Sequence, residues 1–351
     1  MIADVMLAVM WVGLTCYALF AGADFGAGFW DLFAGRAGRG RQRRSLIEHS
    51  IGPVWEANHV WLIFVLVMLW SCFPPVFAAV LSTLCIPLTL AALGIIARGA
   101  AFAFRKASTA LWQQRLFGAC FAVSSVVTPL FLGAVAGGIA SGRVPPGIAE
   151  GDTVTSWLNP TSALGGVIAV LTCAHLAAVY LCADAVREGD TVRAAEFRRA
   201  SAAGGLACGA VALAGIAVLD QDAPVLFHGL THRALPLVVV GAVAGLADLA
   251  LLLRHRYVLA RGAAALAVAA ILWAWGVAQY PRMLVPSTTV EGTAAHTSVL
   301  VACLISVAVG FVVLVPSLWL LYATFQRSPV PGGPRGPRSG GGTEPGGGTA
   351  A

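Results

Sequence analysis

The chain has 351 residues, 58% of them hydrophobic and only 11% charged, with a formal net charge of +6. A soluble domain carries roughly twice that charged fraction, so a water-exposed globular fold is excluded and the apolar surface calls for lipid. The basic excess lies in short loops between apolar runs, and no nucleic-acid-binding motif is present, so the charge points to a membrane surface.

Nine spanning helices are predicted, at 4–22, 52–72, 76–97, 116–140, 161–184, 200–219, 234–253, 261–279 and 299–325. Each is long enough to cross about 30 Å of hydrocarbon at about 1.5 Å per residue. Each must be helical, because lipid offers no partner to an open backbone amide or carbonyl. No Lys or Arg precedes the first apolar run, so it reads as a retained helix and not a cleavable signal. All but Arg143, Arg233 and Arg282 of the 22 basic residues fall in alternate loops and the tail, with Arg98 counted as the first base of loop 98–115. That asymmetry predicts an outside N-terminus and a cytoplasmic C-terminus.

Residues 1–327 read as one transmembrane domain, and 328–351, rich in Gly and Pro, as a disordered cytoplasmic tail. No internal repeat stands out, nor a matched pair of interrupted helices. The eight cysteines form no C-x-x-C pair and read as small packing residues, neither a disulfide framework nor a metal site. Glycines at near i, i+4 spacing predict tight helix interfaces: Gly94 with Gly99, Gly133 with Gly137 and Gly138, Gly204 and Gly205 with Gly209, and Gly241 with Gly245.

Ionisable groups inside spans are costly and are the candidates for chemistry. Asp24, Glu56, Asp184 and Asp248 all fall in the cytoplasmic half of the predicted topology. The plain alternatives are solvated helix ends for Asp24 and Asp184, and pairing with Arg254 or another loop base for Asp248. Glu56 lies in Ile51-Gly52-Pro53-Val54-Trp55-Glu56-Ala57-Asn58-His59-Val60-Trp61, with Pro53 suited to a first turn. Glu56 and His59 share a helix face. A carboxylate, an amide and an imidazole in apolar surroundings can pass protons. They can equally serve as a polar knot between helices. Gly22-Ala23-Asp24-Phe25-Gly26-Ala27-Gly28 implies close backbone packing, since no strand precedes it to make a nucleotide fingerprint. His175 lies mid-span, where a histidine can be an axial haem ligand, but it reads as a satisfied or cavity-lining histidine.

Together these stretches resemble the second subunit of cytochrome bd ubiquinol oxidases. The family's Gly-Phe-Asp-x-Gly-x-Gly appears as Gly22 to Gly28, and its Ser-Ile-x-Pro-x-Trp-Asp-Gly-Asn-x-x-Trp-Leu as Ser50 to Leu62. Asn159-Pro160, Tyr280-Pro281 and Pro286-Ser287-Thr288-Thr289 continue the likeness in order. The resemblance implies an all-α polytopic integral membrane protein, with two four-helix bundles plus a peripheral helix, in the bacterial plasma membrane. It implies a partner, subunit I, that bears two b-type haems and one d-type haem. The pair would oxidise quinol and reduce oxygen to water. This chain would hold no haem, metal or catalytic residue of its own and would be inactive alone. It would stabilise subunit I and help conduct cytoplasmic protons. A structural quinone and a small accessory subunit are left open.

By the same resemblance Glu56 stands at the family's buried Asp and is the expected proton carrier, with Asp24, Asn58 and His59 on the path. Trp55, Trp61, Gly22, Gly26 and Gly28 complete the supporting motif. Ala57 replaces a Gly, and Ala103 stands where some relatives have a carboxylate, which puts the mouth of the path in question. Two other classes compete: a proton-coupled secondary transporter, which needs interrupted helices in corresponding halves and a polar midplane site, and a purely structural scaffold.

Overall fold

A computed structural model describes residues 1–33 and 40–327. Within these the side chains of 40–42, 45, 48, 49, 51–57, 106, 318, 321, 322 and 324–327 are left aside. The proposed tail 328–351 lies outside the described residues.

Twelve helices and one short hairpin follow in order: α1 Ile2–Leu32, α2 Gly40–Cys72, α3 Pro74–Thr83, α4 Cys85–Ala107, α5 Leu111–Ala140, α6 Pro160–Arg187, α7 Thr191–Asp222, α8 Pro224–Thr231, α9 Leu235–Leu253 and α10 Tyr257–Gln279, then β1 Arg282–Leu284, β2 Thr288–Thr289, α11 Val290–Thr293 and α12 Thr297–Arg327. Eight are long and apolar enough to cross a membrane, and α2 with α3 makes a ninth, bent by 118° between its two parts. The all-α polytopic expectation therefore stands. The chain divides into two compact units, Met1–Cys303 and Leu304 onward. Of the second, the described part is the continuation of α12, with Pro316 inside it.

The first unit holds two four-helix groups. In one, α1 packs on α2 and α5, and α4 on α5. In the other, α6 packs on α7 and α10, and α9 on α10 and α7. The groups meet where α6 lies against α1 and α5. Helix α1 explains its own seat. Ala3, Met6, Met10, Gly13, Tyr17, Ala21, Asp24, Gly28 and Asp31 recur at steps of three and four and are all buried, one stripe of a helix with about 3.6 residues per turn.

Two sequence expectations are corrected. The span predicted over 76–97 is not continuous: Leu84 breaks it, and the crossing helix is α4. Moreover, the same break occurs twice. Phe73 (φ −136°, ψ 59°) precedes Pro74, and Ala223 (φ −137°, ψ 58°) precedes Pro224. Each proline disfavours helical backbone in the residue before it and lacks the N–H that would continue the helix. The Phe73 and Ala223 amides donate to the carbonyls of Leu69 and Leu219, both at 3.0 Å. Leu84 and Ala234 then start α4 and α9. The two groups are thus copies of one helix–break–helix plan, offset by 150 residues at the breaks. Hydropathy alone hides this, because the sequences on the two copies differ.

The small residues act as expected at most positions. A Cβ on Gly133 would fall 2.4 Å from the Gly165 carbonyl oxygen, and one on Gly165 at 2.4 Å from that of Gly133, so α5 and α6 touch backbone to backbone. Gly94 gives the same room to Thr128, and Gly241 to Ile271. Gly209 and Gly245, by contrast, face open space. Helix starts are capped where polar residues were available. Asn159 Oδ1 accepts from the Ser162 amide (2.9 Å) with Pro160 at the first helical position. Asp190 Oδ1 accepts from the Arg193 amide (3.0 Å) at the head of α7, which, with the adjoining Arg193 guanidinium, holds its carboxyl below the usual range.

Candidate functional site

The first bundle carries an ion pair deep between helices. Asp24 of α1 is 0% exposed and Arg98 of α4 is 1% exposed. Arg98 donates through Nη1 to Asp24 Oδ2 (2.5 Å) and through Nη2 to Oδ1 (2.7 Å), a two-pronged pair. Nη2 also reaches the Asp24 carbonyl oxygen (2.9 Å), and Nε donates to Ser125 Oγ on α5 (2.8 Å). Ser125 Oγ donates its own hydrogen bond to the Phe121 carbonyl (2.6 Å). The guanidinium plane lies over the rings of Phe25 (5.0 Å) and Phe121 (4.6 Å). Asn58 of α2 closes the cluster, its Nδ2 donating to Asp24 Oδ2 at 3.3 Å. Four helices therefore converge on one ion pair.

The glycines of the first motif make this convergence sterically feasible. A Cβ on Gly26 would sit 1.8 Å from the Cys173 carbonyl oxygen of α6, and one on Gly28 at 2.0 Å from Ser125 Oγ. Gly22 leaves room for Leu176, whose Cδ1 would be 2.7 Å away. Gly28 thus protects the serine that orients Arg98.

Of the sequence candidates, the structure unites Asp24 with Asn58. Asp24 is no solvated helix end. His59 is half-buried and Trp61 is buried with its ring edge-on to Phe64 (6.0 Å). Trp55 and Glu56 lie in α2, but their side chains are outside those described. Ala103 is on the exposed face of α4. Arg98 is corrected from a loop base to the centre of the site. It was discernible: Gly99-Ala100-Ala101-Phe102-Ala103-Phe104 follows it before the next charge, so an arginine here is embedded in apolar sequence.

Asp31 was also missed. It lies seven residues, or two turns, beyond Asp24 on the same stripe of α1 and is buried. Arg44 Nε (3.0 Å) and Arg105 Nη1 (2.8 Å) donate to it. Tyr17, seven residues before Asp24, buries its hydroxyl with no partner among the described residues, as does Asn58 with its Oδ1. Tyr17, Asp24 and Asp31 therefore form a file of polar groups about 10 Å apart along one helix.

The other acids are placed as follows. Asp184 is half-buried and receives Arg187 (2.5 Å) and Arg261 (2.8 Å). Asp248 does not pair with Arg254. It meets His175, Nε2 to Oδ2 at 2.8 Å, while His175 Nδ1 faces the Ser201 carbonyl at 2.9 Å. Both ring nitrogens are engaged by protein partners, as in the satisfied histidine expected. Among the described residues no three His, Cys, Asp or Glu side chains converge to hold a metal.

Comparison with known proteins places this geometry in a family. The model of the cytochrome bd terminal oxidase subunit II family matches residues 2–325. Cytochrome bd ubiquinol oxidase subunit 2 of Bacillus subtilis is 31% identical over 170 residues, 48% of each chain. Cytochrome bd-I ubiquinol oxidase subunit 2 of Escherichia coli K12 is 31% identical over 172 residues, 47% of this chain and 44% of its own. The match spans about half the length of these curated relatives. The bd oxidase structure from Geobacillus thermodenitrificans shares the fold, with a TM-score of 0.74 at 23% identity, covering 92% of this chain and 98% of that one. The chain belongs to the cytochrome bd terminal oxidase subunit II family.

Proposed function

We propose that this chain is the haem-free second subunit of a quinol:oxygen oxidoreductase of the respiratory chain, inactive alone. It stabilises a haem-bearing subunit I, and its first bundle helps carry cytoplasmic protons toward the site of oxygen reduction. The observation that carries the reading is the family match over residues 2–325. The two b-type haems and the d-type haem belong to the partner, and quinol is the substrate.

The chemistry of the first bundle supports the proton role. Arg98 stays protonated under all ordinary conditions, so it sets a constant positive charge beside Asp24. A carrier must be a group that changes state beside it. Glu56 precedes Asn58 by two residues on α2, and Asn58 Oδ1, which has no partner among the described residues, is an acceptor that a protonated carboxyl or a water can address. Asp31, clasped by Arg44 and Arg105 near the end of α1, supplies a carboxylate at that end which does not depend on Ala103. The basic loops at that end are the cytoplasmic ones by charge.

Purification of the full-length chain from its native membrane in mild detergent, with a reduced-minus-oxidised spectrum, tests the assignment. A co-purifying haem subunit with a d-type band is expected. In that complex Glu56→Gln should slow quinol-driven oxygen consumption several-fold and leave the haem bands in place. Wild-type turnover would remove Glu56 from the path.

The transporter reading draws on one observation, the matched breaks at Pro74 and Pro224. Those breaks lie at the ends of the long helices α2 and α7 and not at the middle of a span, where a transporter places its substrate site. A chain that purifies alone, stable and without haem, would favour it.

A further inference from the structure

We propose that His175 and Asp248 form a second intramembrane proton site, in the second bundle, that stores one exchangeable proton between Nε2 and Oδ2. The site is the counterpart of Asp24–Arg98. Arg98 lies thirteen residues after the start of α4 and Asp248 thirteen after the start of α9, the two helices that begin after the duplicated break. Each bonds to a residue on the first helix of its own bundle, 74 and 73 positions away. The acid and the base have exchanged helices.

The exchange alters what the pair can do. Arginine keeps its proton, so the base of the Asp24–Arg98 pair does not exchange one. In the second bundle both partners can titrate. The Ser201 carbonyl can only accept, so His175 Nδ1 carries a hydrogen. The 2.8 Å approach of Nε2 to Oδ2 then requires one further proton on that line. The pair holds it either as imidazolium with carboxylate or as imidazole with carboxylic acid, and the net charge is zero in both.

Among the described residues nothing takes this proton's place on the carboxylate once it leaves. Asp248 is 0% exposed, and its Oδ1 has no hydrogen-bond partner among the described residues. It is five residues from the end of α9, about 8 Å along the helix. The neighbouring charges are committed elsewhere. On α7, Arg198 turns to His255; on α10, Arg261 turns to Asp184 of α6 and the Tyr180 carbonyl; on α1, Asp24 takes Arg98. The titratable thiols nearby are Cys173 on α6 itself and Cys208 of α7, which faces Thr172 at 3.6 Å. Gly204 and Gly205 of α7 bring only backbone against the ring. When the proton leaves to water at the α9 end, Asp248 remains as carboxylate and His175 as neutral imidazole, with nothing oxidised or reduced.

This inference does not rest on the oxidase reading, and its test needs no turnover. Infrared difference spectra of the full-length chain in its native assembly, titrated through the physiological range, should show the protonated-carboxyl band of the one form and the imidazolium band of the other fading together as the pH rises. Ring-¹³C histidine should shift the imidazole member alone. Asp248→Asn, which keeps the shape and a hydrogen bond, should abolish both changes. If Asp248→Asn does not accumulate, Asp248→Glu should move the two bands jointly. Bands that stay fixed with pH in the wild-type chain, or that titrate unchanged in either variant, would overturn the proposal and leave a structural clasp.

Discussion

Asp24 and Arg98 each surrender their hydration completely, and the bonds that compensate come from three other side-chain and backbone groups on α1, α2 and α5. Such a pair is weak evidence for net stability, because an apolar replacement of both members can do as well. Removing one member is different, since the other charge is left stranded. Arg98→Met should therefore destabilise the folded chain by about 3–5 kcal/mol, and the double variant Asp24→Leu with Arg98→Met by clearly less than the two single losses added together. Thermal unfolding in detergent measures both; additive losses would contradict the coupling. At this scale the sequence was legible in part. Asp24 and Asn58 stood out because their motifs are unusual in an apolar chain. Arg98 did not, because a base at the edge of a hydropathy window looks like the first residue of a loop, and its partner is 74 residues away. Asp248 was visible as an intramembrane acid, yet the nearest base in sequence, Arg254, was the wrong partner. A helix end directs Arg254 outward, whereas α6 brings His175 across.

Among the elements, lengths and hydropathy predicted where helices cross but not where they bend. The turn between α2 and α3 and the stop at Leu84 lie inside apolar sequence, so averaging over a window merges them. Pro74, Pro87, Pro224 and Pro236 are the local signals, and read as punctuation they recover both copies of the break. The glycines divide in the same way. Spacing alone treats Gly26 and Gly262 alike, but the structure separates them. The Gly26 position abuts a carbonyl of α6, whereas Gly262 in α10 has nothing within 4 Å. Gly26→Ala should overpack the α1–α6 crossing at a cost of about 1–3 kcal/mol or more. Gly262→Ala should instead stabilise by about 0.5–1 kcal/mol, through the lower entropy lost when alanine enters a helix. Equal effects of the two substitutions on the unfolding midpoint would show that α1 and α6 are not in backbone contact.

At the scale of the first unit, the two bundles are related in plan and joined by few covalent means. Between α5 and α6 runs the segment 141–159, whose stretch from Pro146 to Glu150 is exposed. The joint itself is made by surfaces: Gly133 against Gly165, Gly137 against the Thr161 carbonyl, and Gly26 against Cys173. Further contacts fasten the end of the second bundle onto the first. Trp11 of α1 donates to the Leu272 carbonyl of α10 (3.0 Å), and the Ala295 amide donates to the Cys72 carbonyl (2.8 Å). If these surfaces, and not the loop, hold the halves together, the chain can be cut in the exposed stretch. Fragments 1–148 and 149–351, coexpressed with a tag on one, should co-purify. Gly165→Leu in the second fragment should abolish capture, because its side chain would have to occupy the position of the Gly133 carbonyl. The same substitution in the uncut chain should be milder, since the covalent link keeps the local concentration of the two bundles high. Recovery of the two fragments separately, with each folded, would instead mean that segment 141–159 is the element that binds the bundles.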